Sequence, residues 1–269
     1  MNYFTIYKYN DNLYQLKDKL GVLVTVVLGT KKALVFDTAY GIGNLYDEVR
    51  KITNLPLLII NSHGHMDHSC GNYQFEEVYI HKNDLELCKK HNSIEWRKKN
   101  IESAKRMNCL PNDFDEDNYL NQNEGNLKFL EIGDIFDLGN LTLEVINMEG
   151  HTKGSIGLYI NQMKLLLVSD AYCPFVWLFL EESTSLSVYK NSLKKVLEID
   201  FDNFLVGHGA RMFSKSKMYE FYDCALKLTL EKSVKVSFNN FDDVESYCFT
   251  EGQMYNQDHC GIVFDPKKM

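Results

Sequence analysis

Proline is scarce: the chain has only 4 in 269 residues, and no Gly/Ser/Pro-rich stretch interrupts it. No composition-marked linker therefore divides the sequence, and a single domain over residues 1–269 is expected. Long apolar runs are absent too. No window approaches the ~18 continuous apolar residues of a membrane span. The N-terminus, Met1 to Lys8, lacks the basic-then-apolar pattern of a secretory leader and reads as a first strand. Cysteine is present 7 times, an odd count with no CxxC pair and no framework spacing. That usage fits free thiols in a reducing cytoplasm rather than a disulfide scaffold; Cys70 reads as a small packed residue. Basic excess is missing as well. The net charge is -8, whereas a nucleic-acid binder shows a basic face or stripe. The densest basic segment, Lys89 to Arg106, is interleaved with acids and reads as a solvated helix face. The expected partner is a small molecule, with neither nucleic acid nor membrane.

What is present is concentrated. Hydrophobic residues make up 45%, enough for a substantial core. Directly after the apolar run Leu57–Ile60 comes His63-Gly-His65-Met-Asp67-His68, three histidines and an aspartate within six residues. A short apolar run bounded by turn residues reads as a buried strand, so the cluster lies in a loop at a strand end. Imidazole and carboxylate suit zinc or iron. Four potential ligands so close do not easily serve one tetrahedral ion, so alternate residues are expected to face two neighbouring metals.

The arrangement recurs. The run Leu141–Ile146 leads to His151, Lys164–Val168 leads to Asp170, and Phe204–Val206 leads to His208. Each candidate stands just past an apolar strand, beside Gly, Ser or Ala, whose small size lets backbone approach a buried centre. Rigid strand ends hold tight geometry.

This set resembles the metallo-β-lactamase-fold superfamily of metal-dependent hydrolases. His63-Gly-His65-Met-Asp67-His68 matches its H-x-H-x-D-H signature, and His151, Asp170 and His208 match its later ligand positions in order. The resemblance covers roughly residues 3–210. It implies one metal on His63, His65 and His151, and a second on Asp67, His68 and His208, with Asp170 bridging. Asp37, after Ala33–Phe36, matches an aspartate that supports the ligand loop, or is an ordinary turn residue. Two divalent cations are implied, Zn2+ foremost, with Fe or Mn accepted by the same ligands. The implied reaction uses a metal-bridging hydroxide on a small-molecule ester, thioester or lactone, with Asp67 and Asp170 in the catalytic set. A phosphodiesterase or nuclease of the same fold, and an iron-dependent sulfur dioxygenase-like enzyme, are the alternatives.

The order of segments fits the α/β fold of that family, a four-layer αβ/βα sandwich. Tyr3–Tyr9, Leu13–Leu16, Val22–Leu28 and Lys32–Phe36 read as a meander, followed by a helix over 43–53 and the strand Leu57–Ile60. Lys128–Ile132, Leu141–Ile146, Ile156–Ile160 and Lys164–Val168 read as a second meander, followed by a helix over Leu186–Ile199 and the strand Phe204–Val206. Residues 82–126 form a polar helical insertion with a helix start at Ser93. It reads as a lid over the pocket or as a surface excursion. A C-terminal extension from about 211 holds a helix over Lys215–Glu231 and strands at Val234–Phe238 and Gly261–Phe264; His259 within it reads as structural. After Asp170, Tyr172 is a candidate oxyanion donor, and Phe175, Trp177 and Phe179 read either as an apolar pocket wall or as core.

Overall fold

The computed structural model describes residues 2–238 and 244–269. It divides into two compact units. One comprises residues 1–144 with 207–210, the other residues 145–206 with 211–269.

The first unit is built on a seven-stranded sheet. β1 (Thr5–Asn10), β2 (Leu13–Lys17), β3 (Leu23–Leu28) and β4 (Ala33–Phe36) form the expected antiparallel meander. After α1 (Leu45–Ile52), β5 (Leu57–Ile60) joins β4 in parallel. α1 starts at Asn44, whose side chain accepts from Asp47 N, and carries acids in its first turn and bases in its last, as the helix dipole favours. The turn α2 (Met66–Ser69) leads to β6 (Val78–His81), which lies parallel to β5. Three helices follow: α3 (Leu85–His91), α4 (Ile94–Arg106) and α5 (Glu116–Leu120). β7 (Leu127–Leu130) then joins β6, again in parallel.

This corrects one expectation. The segment read as Lys128–Ile132 does not open a second meander; it is the last strand of the first sheet, in the order β1-β2-β3-β4-β5-β6-β7. Parallel neighbours need a long crossover, and residues 82–126 supply it. The insertion is also part of the core. Ile101, Ala104, Cys109 and Tyr119 are buried among Val22, Val35, Ile59 and Val78. Arg97 of α4 is fully buried and donates to the carbonyls of Cys70, Asn92 and Asn123. β8 (Ile135–Asp137) pairs antiparallel with the first half of β9 (Thr142–Asn147).

In the second unit, β10 (Ile156–Ile160) and β11 (Leu165–Ser169) are buried along their whole length. β12 (Phe175–Leu178) follows, then α6 (Leu186–Leu197), then β13 (Asn203–Val206), parallel to β11. β14 (Met212–Ser214) returns antiparallel to β13. α7 (Lys215–Lys227) leads to β15 (Val234–Val236), β16 (Ser246–Glu251) and β17 (Cys260–Phe264). These three and β12 form a separate sheet in the order β12-β17-β16-β15. The core gathers Leu166, Val168, Tyr189, Leu193, Phe204 and Phe221 with Val176, Leu178 and Ile262. None of the described helices is long and apolar enough to cross a membrane.

Candidate metal centre

The H-x-H-x-D-H run starts three residues after β5 and bends through α2. A buried network fixes it. Asp37 stands just past β4 in the left-handed region, φ 71°, which aspartate tolerates better than most residues. Its Oδ1 accepts from Ser62 N at 2.7 Å and its Oδ2 from Ser62 Oγ at 2.9 Å. His68 Nδ1 lies 2.9 Å from the same Oδ2. An ionised carboxylate only accepts, so Nδ1 carries the proton, and in the neutral ring Nε2 is left as the lone-pair nitrogen. The His68 carbonyl accepts from Thr38 N, Thr38 Oγ1 and Asn61 Nδ2. Both faces of His68, ring and backbone, are thus set by β4 and β5 ends.

His63 and His65 meet edge to edge, with His63 Nε2 3.0 Å from His65 Nδ1. Two nitrogens at ~2.0–2.1 Å from one tetrahedral zinc would stand about 3.3 Å apart, so the pair fits a common cation. Asp67, His68 and His208 each offer a ligand atom within 4.8 Å of the others. Asp67 Oδ2 lies 3.4 Å from His68 Nε2 and 3.2 Å from His208 Nε2. Burial opposes ionisation of Asp67, yet His68 and His208 together hold its carboxyl well below the usual carboxylate range. His208 reaches this group because Val22 bridges to it and Leu23 N donates to the Gly207 carbonyl at 2.8 Å.

His151 and Asp170 stand in the second unit. His151 Nδ1 lies 2.8 Å from the Trp177 carbonyl. A carbonyl only accepts, so here too the neutral ring keeps its lone pair on Nε2. The Gly150 and His151 carbonyls accept from Thr184 N and Ser183 Oγ. Asp170 follows Ser169, held at φ 48° at the end of β11. A non-glycine residue in this region is strained, and such strain gathers at functional sites.

Two aspartate-bearing strand ends therefore turn through left-handed backbone, at Asp37 and at Ser169. Tyr172, the expected oxyanion donor, instead sits fully buried in the second unit's core, its ring 5.7 Å from that of Tyr189. Burial pushes its pKa up, so its hydroxyl keeps its proton. Phe175 to Leu178 form strand β12. Phe179 is buried, and Phe175 and Trp177 are partly buried against the same cluster, Trp177 packing on Phe179 and Phe238.

Several supporting residues escaped the sequence reading. Asp84, fully buried before α3, accepts from Gly64 N at 2.9 Å. His91 of α3 accepts from Met66 N at 3.2 Å and stacks on His65 at 5.0 Å, with Trp96 on its other side at 4.2 Å. The signal for both was position: they open the crossover that follows the strand beside the ligand loop. Asp18 Oδ1 accepts from Gly21 N and Val22 N and so fixes the start of β3, against which His208 rests.

The family model of the metallo-β-lactamase superfamily matches residues 18–208. The chain belongs to that superfamily. Among metallo-β-lactamase superfamily proteins, it is 25% identical over 226 residues to the acyl-coenzyme A thioesterase MBLAC2 of Gallus gallus, covering 73% of this chain and 75% of that protein. It is 28% identical over 162 residues to the Homo sapiens protein of the same name, covering 55% of this chain and 57% of that one. The stereoselective inverting sec-alkylsulfatase Pisa1 from Pseudomonas sp. shares the fold at a TM-score of 0.65 and 14% identity, over 83% of this chain and 42% of that one. The fold is the mixed α/β fold of metallo-β-lactamases, and the chain is a hydrolase of this superfamily.

Proposed function

We propose that this hydrolase cleaves a small-molecule thioester, with simple esters and lactones as lesser substrates, at a centre of two divalent cations. Zn2+ is the first candidate, and Fe or Mn suit the same donors. His63, His65 and His151 would hold one cation, Asp67, His68 and His208 the other, and Asp170 both. The observation that carries the reading is the fixed tautomer of His68 and His151. Each has Nδ1 against an acceptor, Asp37 or the Trp177 carbonyl, and is thereby left with a ligating Nε2.

Bound cations of this kind supply Lewis acidity toward a carbonyl oxygen and a water acidified to near neutrality. The residues do the rest. Asp37 and the Trp177 carbonyl keep two imidazoles oriented without reorganisation during turnover. Asp67, held ionised beside His68 and His208, would bring a negative charge to the cation they hold. Asp170 is the carboxylate proposed to take a proton from the attacking water and pass it on. A thiol leaving group has a pKa near 8.5 and departs as the thiolate. Such a reaction needs no strong proton donor, which suits a chain whose proposed donor, Tyr172, is buried. The names of the chicken and human relatives support the same substrate class.

The test joins metal analysis of the purified protein to a panel of acyl-thioesters, esters, lactones and phosphodiesters. Two metals per chain with the highest kcat/KM on thioesters is the expected result. Phosphodiester turnover alone, or sulfur-dependent oxygen consumption by iron-loaded protein, would overturn it.

A further inference from the structure

The second unit holds another group of ligand-type side chains, remote in sequence from the histidine loop. Cys224 lies on α7, Glu251 ends β16 and Cys260 begins β17. Each offers a ligand atom within 4.8 Å of the others. Both thiols are buried, Cys224 at 1% and Cys260 at 5% exposure, and both are free. The Glu251 carboxylate is partly exposed, with Cys260 Sγ 3.8 Å from its Oε2. Glu251 and Cys260 are direct cross-strand partners, so their spacing is set by the sheet.

The hairpin mouth is braced on both sides. Thr250 Oγ1 donates to the carbonyls of Gly252 and Cys260, and Gln253 N donates to His259 Nδ1 at 2.7 Å. Gly252 has φ 120°, and a Cβ there would lie 2.5 Å from the His259 ring. The turn thus requires glycine and holds the two donors at its neck. Positive charge is at hand. Lys227 Nζ pairs with Glu251 Oε1 at 2.9 Å, and Lys217 favours the Cys260 thiolate.

We propose that Cys224, Glu251 and Cys260 form a structural site for a thiophilic divalent cation of the Zn2+ class, tying α7 to the neck of the β16–β17 hairpin. Two thiolates and one carboxylate are donors that zinc accepts, with water as the fourth ligand of a tetrahedron. Binding releases the thiol protons to solvent. Two thiolates and a carboxylate overbalance a dication by one charge, which Lys227 and Lys217 offset. Partial exposure of Glu251 gives the ion a way in.

Cobalt tests this directly, because the histidine and aspartate donors of the catalytic centre cannot give a thiolate-to-metal charge-transfer band. Reduced, metal-stripped full-length protein is titrated with Co2+. A near-ultraviolet thiolate band that grows to saturation is expected. It should vanish in Cys224→Ser and in Cys260→Ser, and persist in Cys173→Ser, a thiol close to Asp170. Glu251→Gln should weaken Co2+ binding by ~10-fold or more, since loss of even an outer partner costs ~10–100-fold. If the serine variants fail to fold, the wild-type spectrum and the Glu251→Gln titration decide. No thiolate band in the reduced wild type, a band that survives Cys260→Ser, or unchanged affinity in Glu251→Gln overturns the site. Thioesterase activity does not enter the readout, so the proposal stands or falls apart from the proposed reaction.

Discussion

Asp18 shows how much a single supporting carboxyl can set. It is 3% exposed, and burial pushes its pKa up to about 7 despite the two backbone donors on Oδ1. The unfolded chain ionises near pH 4. Below that both states are protonated and Asp18 costs nothing. As the pH rises from about 4 toward 7 only the unfolded state sheds the proton, so stability falls, and above about 7 the loss is complete. A shift of this size corresponds to about 4 kcal/mol at most. Asp18→Asn keeps an Oδ1 acceptor for Gly21 and Val22 and removes the ionisation. The metal-free variant should therefore gain on the wild type between pH 5 and pH 8 in denaturant unfolding; a gap that does not change with pH would refute the assignment. Asp170 makes the opposite case, a carboxylate whose charge is wanted. Asp170→Asn preserves shape but removes the charge proposed to hold both cations. Turnover should drop by about 100-fold or more, the scale of losing a principal electrostatic stabiliser, with weaker metal binding and an intact fold by circular dichroism. Near-normal turnover with two metals retained would reject the bridging role.

Among elements, the contact of α3 with the ligand loop matters most. A Cβ at Gly64 would lie 2.8 Å from the Asp84 carbonyl oxygen and 2.8 Å from Cys88 N. Both are backbone atoms, so α3 or the loop must move. Gly64→Ala is expected to cost about 1–3 kcal/mol of stability and to weaken the metal at His63 and His65 more than that at His208; calorimetric titration would check the order. Most of the strands that lead to the proposed ligands or to Asp37 were legible in sequence, because β4, β5, β11 and β13 are short apolar runs ending in a turn. The strands that escaped have other causes. β8 and β14 are three residues long, β16, SYCFTE, mixes polar and apolar residues, and β6 and β12, four residues each, also went unread. β7 was visible as a strand, but which sheet a strand joins depends on the crossover before it and not on its own pattern. That crossover looked like surface because Arg97, Asn92 and Asn100 are polar, yet all three are buried: Arg97 donates to Asn92 Oδ1, and Asn100 donates to the Cys70 thiol and the Tyr119 hydroxyl. Cutting out 82–126 would therefore remove core, and a lid role is better probed by point changes at its exposed residues. Asp37 was readable as a candidate because it follows β4; its bond to His68 Nδ1 was not, since that depends on two strands lying side by side.

For the whole molecule, metal should be a folding ligand as well as a cofactor. Removing it with a chelator is expected to abolish hydrolysis and lower the melting temperature, and restoring Zn2+ to reverse both. At a free concentration of 100 times Kd the stabilisation is about 2.7 kcal/mol per site. An unchanged melting curve on chelation would mean that the folded chain held no ion in preference to the unfolded one. One further consequence lies in the short segment 207–210, which belongs to the first unit although the residues on either side of it belong to the second. During vectorial synthesis the first sheet can emerge and pair long before His208 exists. Asp67 and His68 then wait for a donor that follows β13. On the proposed ligand set, a ribosome-bound chain halted before residue 207 lacks one donor of the Asp67 and His68 site however well its first sheet has formed, and loading of that site is expected late in maturation.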